Sequence, residues 1–241
     1  MKVKITLSYD GSRFYGFQEQ NSGVKTVANE IKYALNRLGI ELNFNASGRT
    51  DRGVHATYQV IDLLLPNYWS DLKRFQSYLN RQLYPYIHIK SIKRVEESFH
   101  ARFHAKSRLY RYLIYRGGFS PFLSDYALFK ESLNIDLLNK AAKIFEGEHD
   151  FKEFYKLGSD EKSTVRRIKR SFFYTYRDFY IYSVEADGFL RSQIRMMLSF
   201  LLKIDDGKLS IDELKDQLEL KRVYTKELVE PNGLYLSFVK Y

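Results

Sequence analysis

Apolar residues change period in the same order twice along this chain, and that repeat limits the fold more than any other feature. Val3 to Tyr9 alternates, with Val3, Ile5 and Leu7 set against Lys4, Thr6 and Ser8, as a half-buried strand requires. From Val27 the apolar residues take helical spacing (Val27, Ile31, Ala34, Leu35, Leu38), and Gly39 supplies a stop. Two short strands are expected around Leu42–Ala46 and Thr57–Leu65. Ser70 or Asp71 can cap a second helix bearing Leu72, Phe75, Leu79 and Leu83, and Ile87 to Val95 returns as strand.

The second half follows the same order. Leu109–Arg116 alternates, Asn134 caps a helix bearing Leu138, Ala141, Ala142 and Phe145, and Ile168–Tyr176 with Tyr180–Glu185 reads as a hairpin turning near Arg177-Asp178. An apolar helix over Leu190–Leu202 and a closing strand over Leu234–Val239 complete the pattern. Ser210 and Glu213 form a capping box for one additional helix. Two βαββαβ units predict an α+β protein of two ferredoxin-like halves, residues 1–105 and 106–241. In that reading the halves join into a continuous, mostly antiparallel sheet with helices on one face, and the active cleft lies between them.

Charge narrows the partners. Lys and Arg number 39 against 29 Asp and Glu, a net +10 that suits a polyanion, because neutralising phosphates releases counterions. No segment approaches the ~20 uninterrupted apolar residues of a membrane span, so no membrane partner is expected. The opening MKVKITLSYD reads as a strand, without the apolar core of a secretory signal. Cysteine is absent, which excludes disulfides and thiolate metal sites and fits a reducing compartment. A cytoplasmic protein is expected. The 20 Tyr and 18 Phe fill cores and sheet faces, with a minority available to stack on bases.

Ser47-Gly48-Arg49-Thr50-Asp51-Arg52-Gly53-Val54-His55 is the densest polar stretch and falls where one strand ends and the next begins. Its two glycines permit tight backbone positions, and its arginines favour the carboxylate form of Asp51, as a nucleophile or base requires. A plain turn, with Asp51 capping amides and the arginines on phosphate, satisfies the same residues.

GRTDRGVHA is similar to the active-site motif of the TruA family of tRNA pseudouridine synthases, whose usual form is GRTDAGVHA. YDGSRFYGFQEQ at Tyr9–Gln20, SFHARFHAKSRLYRYLI at Ser98–Ile114, Ser163-Thr164-x-Arg166, GFLRSQIRMML at Gly188–Leu198 and GLYL at Gly233–Leu236 resemble further family elements in the family's order. The resemblance implies an isomerase that converts uridine to pseudouridine at tRNA positions 38–40 in the anticodon arm, without metal or organic cofactor, acting as a homodimer. It implies that Asp51 attacks the nucleoside at the sugar or at C6. Tyr110 would stack on the flipped base and help remove the C5 proton, and Arg195 would hold the catalytic carboxylate. Arg49, Thr50, His55, Tyr110 and Arg191 fall among the residues that bind substrate. Phe17 replaces the usual Trp, and Arg52 replaces the small residue that normally follows the catalytic Asp.

The residues themselves leave roles open. Tyr110 and Tyr112, two apart on a strand, share a face, so one can stack on a base while the other packs. Arg191 and Arg195 are four apart on an expected helix, where an arginine takes a carboxylate partner such as Asp51 or snorkels to solvent. His100 and His104 have metal-ligand spacing, yet alternating Phe99, Ala101 and Phe103 suggest extended chain, and no third ligand is evident. Gly11, Gly16 and Gly23 match no phosphate-binding motif. A non-catalytic RNA-binding module and a metal-dependent nuclease are the rival functions.

Overall fold

A computed structural model describes residues 1–20, 23–41, 43–158 and 162–241. The chain divides into two compact units, residues 1–106 with 235–241, and residues 107–234.

In the first unit, β1 (Lys2–Tyr9) pairs antiparallel with both β3 (His55–Leu64) and β4 (Ile87–Arg94). Short β2 (Asn45–Ala46) runs antiparallel to β3, opposite Asp62 and Ile61. The expected strand at Leu42–Ala46 reduces to these two residues, and Leu42 lies outside the described residues. Helix α1 (Val27–Asn36) is capped by Thr26, whose hydroxyl accepts the Asn29 amide, and the chain leaves past Gly39 at φ +76°. Helix α2 (Leu72–Leu83) starts at Asp71, whose carboxylate accepts the Arg74 amide at 2.9 Å. Alternate residues Val3, Ile5 and Leu7 are fully buried with Ile31, Leu35, Phe75 and Leu79, so each period read from sequence turns one apolar face inward. Strand β10 (Leu234–Lys240) pairs parallel with β3 through Tyr235–His55 and Leu236–Ala56.

The second unit orders its main strands β5 (Ser107–Tyr115), β9 (Phe179–Ala186), β8 (Val165–Tyr176) and β7 (Gly147–Asp150), each antiparallel to the next. Strand β6 (Leu128–Phe129) adds in parallel to β5. The β8–β9 hairpin turns at Arg177, φ +51°, beside Asp178 as the sequence predicts. Helix α3 (Ile135–Ala142) is capped by Asn134 and lies against β8 and α4 (Gln193–Asp205). Helix α5 (Ile211–Leu218) carries the full Ser210–Glu213 capping box. Phe145, Phe151, Phe154 and Phe200 form a buried ring cluster, with Phe154 5.4 Å from Phe145 and 6.0 Å from Phe200.

Two local expectations change. Helix α4 begins at Gln193 because Ser192 takes a left-handed conformation (φ 58°), so Arg191 precedes the helix and does not share a face with Arg195. The segment around Phe99–His104 is a compact turn and not extended chain: the His104 amide donates to the His100 carbonyl, and fully buried Asp62 accepts the Ala101 amide at 2.6 Å. Asp62 also accepts from Asn45 at 3.1 Å and pairs with Lys2. An Asp inside the apolar run Val60–Leu65 was the sequence signal for this anchor.

Candidate active site

The loop carrying Asp51 is built by backbone contact with a strap, residues 10–17, that follows β1. Gly11 runs so close to the loop that a Cβ would lie 2.0 Å from the Val54 carbonyl oxygen. Gly16, at φ +100°, would place a Cβ 3.0 Å from the Thr50 carbonyl oxygen. Only glycine combines that dihedral with that approach. The Phe17 amide donates to Thr50 O at 3.1 Å, Gly53 N to Phe14 O at 3.4 Å, and Val54 N to Asp51 O at 3.1 Å.

Side chains finish the clamp. The Tyr9 and Thr50 hydroxyls are 2.8 Å apart, Ser47 Oγ donates to Gln59 Oε1 at 2.6 Å, and Gln59 Nε2 returns a bond to Gly48 O at 3.0 Å. His55 is 2% exposed, its Nδ1 accepts the Gly11 amide at 3.0 Å, and its ring stacks on Tyr235 at 4.6 Å and 17°. Thr50 and His55 therefore sit inside the support of the loop, whereas Asp51 is half-buried and Arg49 and Arg52 are exposed. Phe17, in the strap, is buried between Tyr9 at 6.0 Å and Phe44 at 6.4 Å.

The second unit holds the other expected site residues. Tyr110 and Tyr112 share one face of β5, opposite Val184 and Tyr182 on β9. Tyr112 is fully buried, donates to Glu230 O at 2.7 Å, and lies tight against Gly233, where a Cβ would come 2.5 Å from its ring. Burial pushes its phenol well above the ordinary range, so Tyr112 stays protonated. Tyr110 is 7% exposed and meets Phe189 edge-on at 5.3 Å. Arg195, on the first turns of α4, donates from Nε to Val229 O at 2.8 Å. The Arg191 carbonyl accepts the Lys156 amide at 3.0 Å, and its guanidinium reaches Leu157 O at 3.4 Å. The far end of α4 is anchored where Asp205 accepts the Asn134 amide at 2.8 Å and Lys130 pairs with Asp205 and Asp206.

Among the described residues no group of three or more His, Cys, Asp or Glu could hold a metal ion, and no helix is long and apolar enough to cross a membrane. What the chain offers is an arginine-flanked carboxylate on an immobilised loop, with aromatic and cationic side chains as its other chemistry.

Residues 5–104 and 141–241 match the family model described as tRNA pseudouridine synthase, and the chain belongs to that family of isomerases. Asp51 lies in the first matched stretch and Arg195 in the second, while Tyr110 falls between them. Relatives named tRNA pseudouridine synthase A include those of Campylobacter jejuni (strain RM1221), 42% identical over 100% of both chains, and of Wolinella succinogenes, 41% identical over 98% of this chain and 92% of the relative. That of Helicobacter pylori (strain P12) is 37% identical over 99% and 98%.

Sequence reasoning did not find the Gly11 and Gly16 contacts or the Tyr9 and Gln59 supports. The glycines were visible, but their partners lie some 40 residues away along the chain, a separation no local pattern bridges.

Proposed function

We propose that the protein converts uridine to pseudouridine at positions 38–40 of the tRNA anticodon stem-loop, with Asp51 as nucleophile. The observation that carries this reading is the clamped loop, which fixes the backbone of a half-buried aspartate between two exposed arginines. The carboxylate is the form that attacks. The target base leaves the stack before reaction, because C1′ and C5 of a stacked nucleotide are poorly accessible.

Asp51 attacks C1′ of the ribose or C6 of the base. In both routes the N1–C1′ bond breaks, the uracil turns, and C5 bonds to C1′ as the carboxylate is released. The C5 proton leaves and N1 gains one, so substrate and product are isomers and the step balances without a redox or organic cofactor. Tyr110 stacks on the turning base and assists loss of the C5 proton. Arg195 steadies the carboxylate, Arg49 helps displace and replace the target base, and Arg191 meets the RNA. Thr50 and His55 serve substrate by holding the loop. The reading includes a cytoplasmic homodimer in which one tRNA touches both subunits. Phe119 and Phe122, 75% and 86% exposed, supply apolar surface for such contacts.

The test treats unmodified tRNA transcript with the protein and maps pseudouridine by carbodiimide labelling and primer extension, alongside Asp51→Asn. Stops in the anticodon arm that vanish with Asp51→Asn while tRNA binding persists are the expected result. Stops elsewhere overturn the site assignment. Stops that survive Asp51→Asn overturn the nucleophile.

A further inference from the structure

We propose that Arg52, laid on the ring of Tyr15, is a phosphate-binding residue for the RNA strand beside the reacting nucleotide, and that it sets affinity rather than rate. The inference rests on Asp51, its immediate neighbour, being the nucleophile.

Arg52 is the departure from the family motif, and the structure gives it a partner. Its guanidinium carbon is 4.3 Å from the Tyr15 ring centroid, the closest cation–ring approach among the described residues. Both side chains are exposed, Tyr15 by 45%. No ion pair involves Arg52 among the described residues. Burial therefore does not explain the pair, and neither does neutralisation of a carboxylate.

Both ends of the pair are fixed by backbone. Tyr15 N donates to Lys25 O at 2.9 Å, Phe17 N to Thr50 O at 3.1 Å, and Gly16 closes against the loop with its would-be Cβ 3.3 Å from the Arg52 amide nitrogen. A guanidinium stacked by its face keeps its N–H edge free, and that planar fork matches two oxygens of a phosphate. A lysine in the same place would be a point charge without the fork. Further cations continue the track along the strap: Arg13 lies 5.7 Å from the Tyr86 ring, and Lys25 lies 5.5 Å from both Phe14 and Tyr86. Alternating cations and rings suit an RNA backbone with unstacked bases, and the net charge of +10 agrees.

The test measures equilibrium binding of unmodified tRNA transcript across a salt series, with Asp51→Asn in every protein so that no turnover intervenes. Steady-state kinetics follow with Asp51 restored. Arg52→Ala is expected to weaken binding about tenfold near 0.1 M salt and to flatten the slope of log K against log salt by about one phosphate contact. KM should rise in parallel while kcat falls less than about twofold. Arg52→Lys should keep the slope but recover only part of the affinity, and Tyr15→Leu should lose about threefold. An unchanged salt slope in Arg52→Ala overturns the proposal, with or without a loss of thermal stability. So does a fall in kcat at unchanged KM. The binding arm is independent of turnover, so failure of the nucleophile assignment shows separately, as activity surviving Asp51→Asn.

Discussion

The loop around Asp51 and the elements bearing Tyr110 and Arg195 are immobilised by different means. In the loop, backbone meets backbone: Gly11 and Gly16 admit contacts that a side chain would block, and short polar side chains fill what remains. Around β5 and α4, large rings are buried and side chains reach carbonyls, as Tyr112 does to Glu230 and Arg195 to Val229. The first arrangement fixes the main chain beneath a short polar side chain, that of Asp51. The second suits long side chains whose bases lie on regular structure and whose tips must be aimed. Damage should therefore differ in the two places: added atoms are the main threat to the loop, whereas around β5 removed atoms do harm alongside any atom added at Gly233.

The largest expected effect is Tyr112→Ala, which leaves a cavity against Gly233 and should cost about 4 kcal/mol of stability by urea unfolding. Gly11→Ala should come next at about 3 kcal/mol, because the new methyl group must push the strap and loop apart. A tolerated Gly11→Ala would break the comparison outright. Gly16→Ala should cost about 1–2 kcal/mol from its positive φ, and should lower modification activity by more than its stability loss explains, since it displaces Thr50 and Asp51. Tyr112→Phe keeps the ring and loses only the bond to Glu230, about 1 kcal/mol, with modification activity close to wild type.

The smallest expected effect is one of pH. The bond from Lys130 holds the Asp206 carboxyl below the usual carboxylate range. A depressed folded value means its contribution is present above the unfolded pKa of about 4 and is lost as pH falls through the folded value. Unfolding midpoints of wild type and Lys130→Met should therefore converge below about pH 4. A gap that does not narrow at all as pH falls below about 4 would show that Lys130 acts at the end of α4 by packing and not by charge.

The contrast also explains what the sequence made legible. Periodicity located most of the strands and helices, because an apolar face must turn inward wherever a strand or helix forms, and the caps at Asp71, Asn134 and Ser210 stood where local chemistry puts them. It failed where the backbone departs from local preference. Ser192 enters a left-handed conformation that ends the Arg191–Arg195 pairing, and Asp62 draws the Ala101 amide into a turn. Asp51 stood out through its loop composition and its motif, yet nothing local reveals that Gly11, Gly16 and Tyr9 hold it. The parallel pairing of β10 with β3 is the extreme case, since residues 55 and 235 meet across most of the chain.

That pairing bears on how the molecule is made. During synthesis the ribosome releases the Asp51 loop early, but Tyr235, on which His55 stacks, emerges only after residues 107–234. A nascent chain therefore carries the Asp51 carboxylate before the ring beneath its loop arrives. The support of that loop is completed by residues translated after the whole of the second unit.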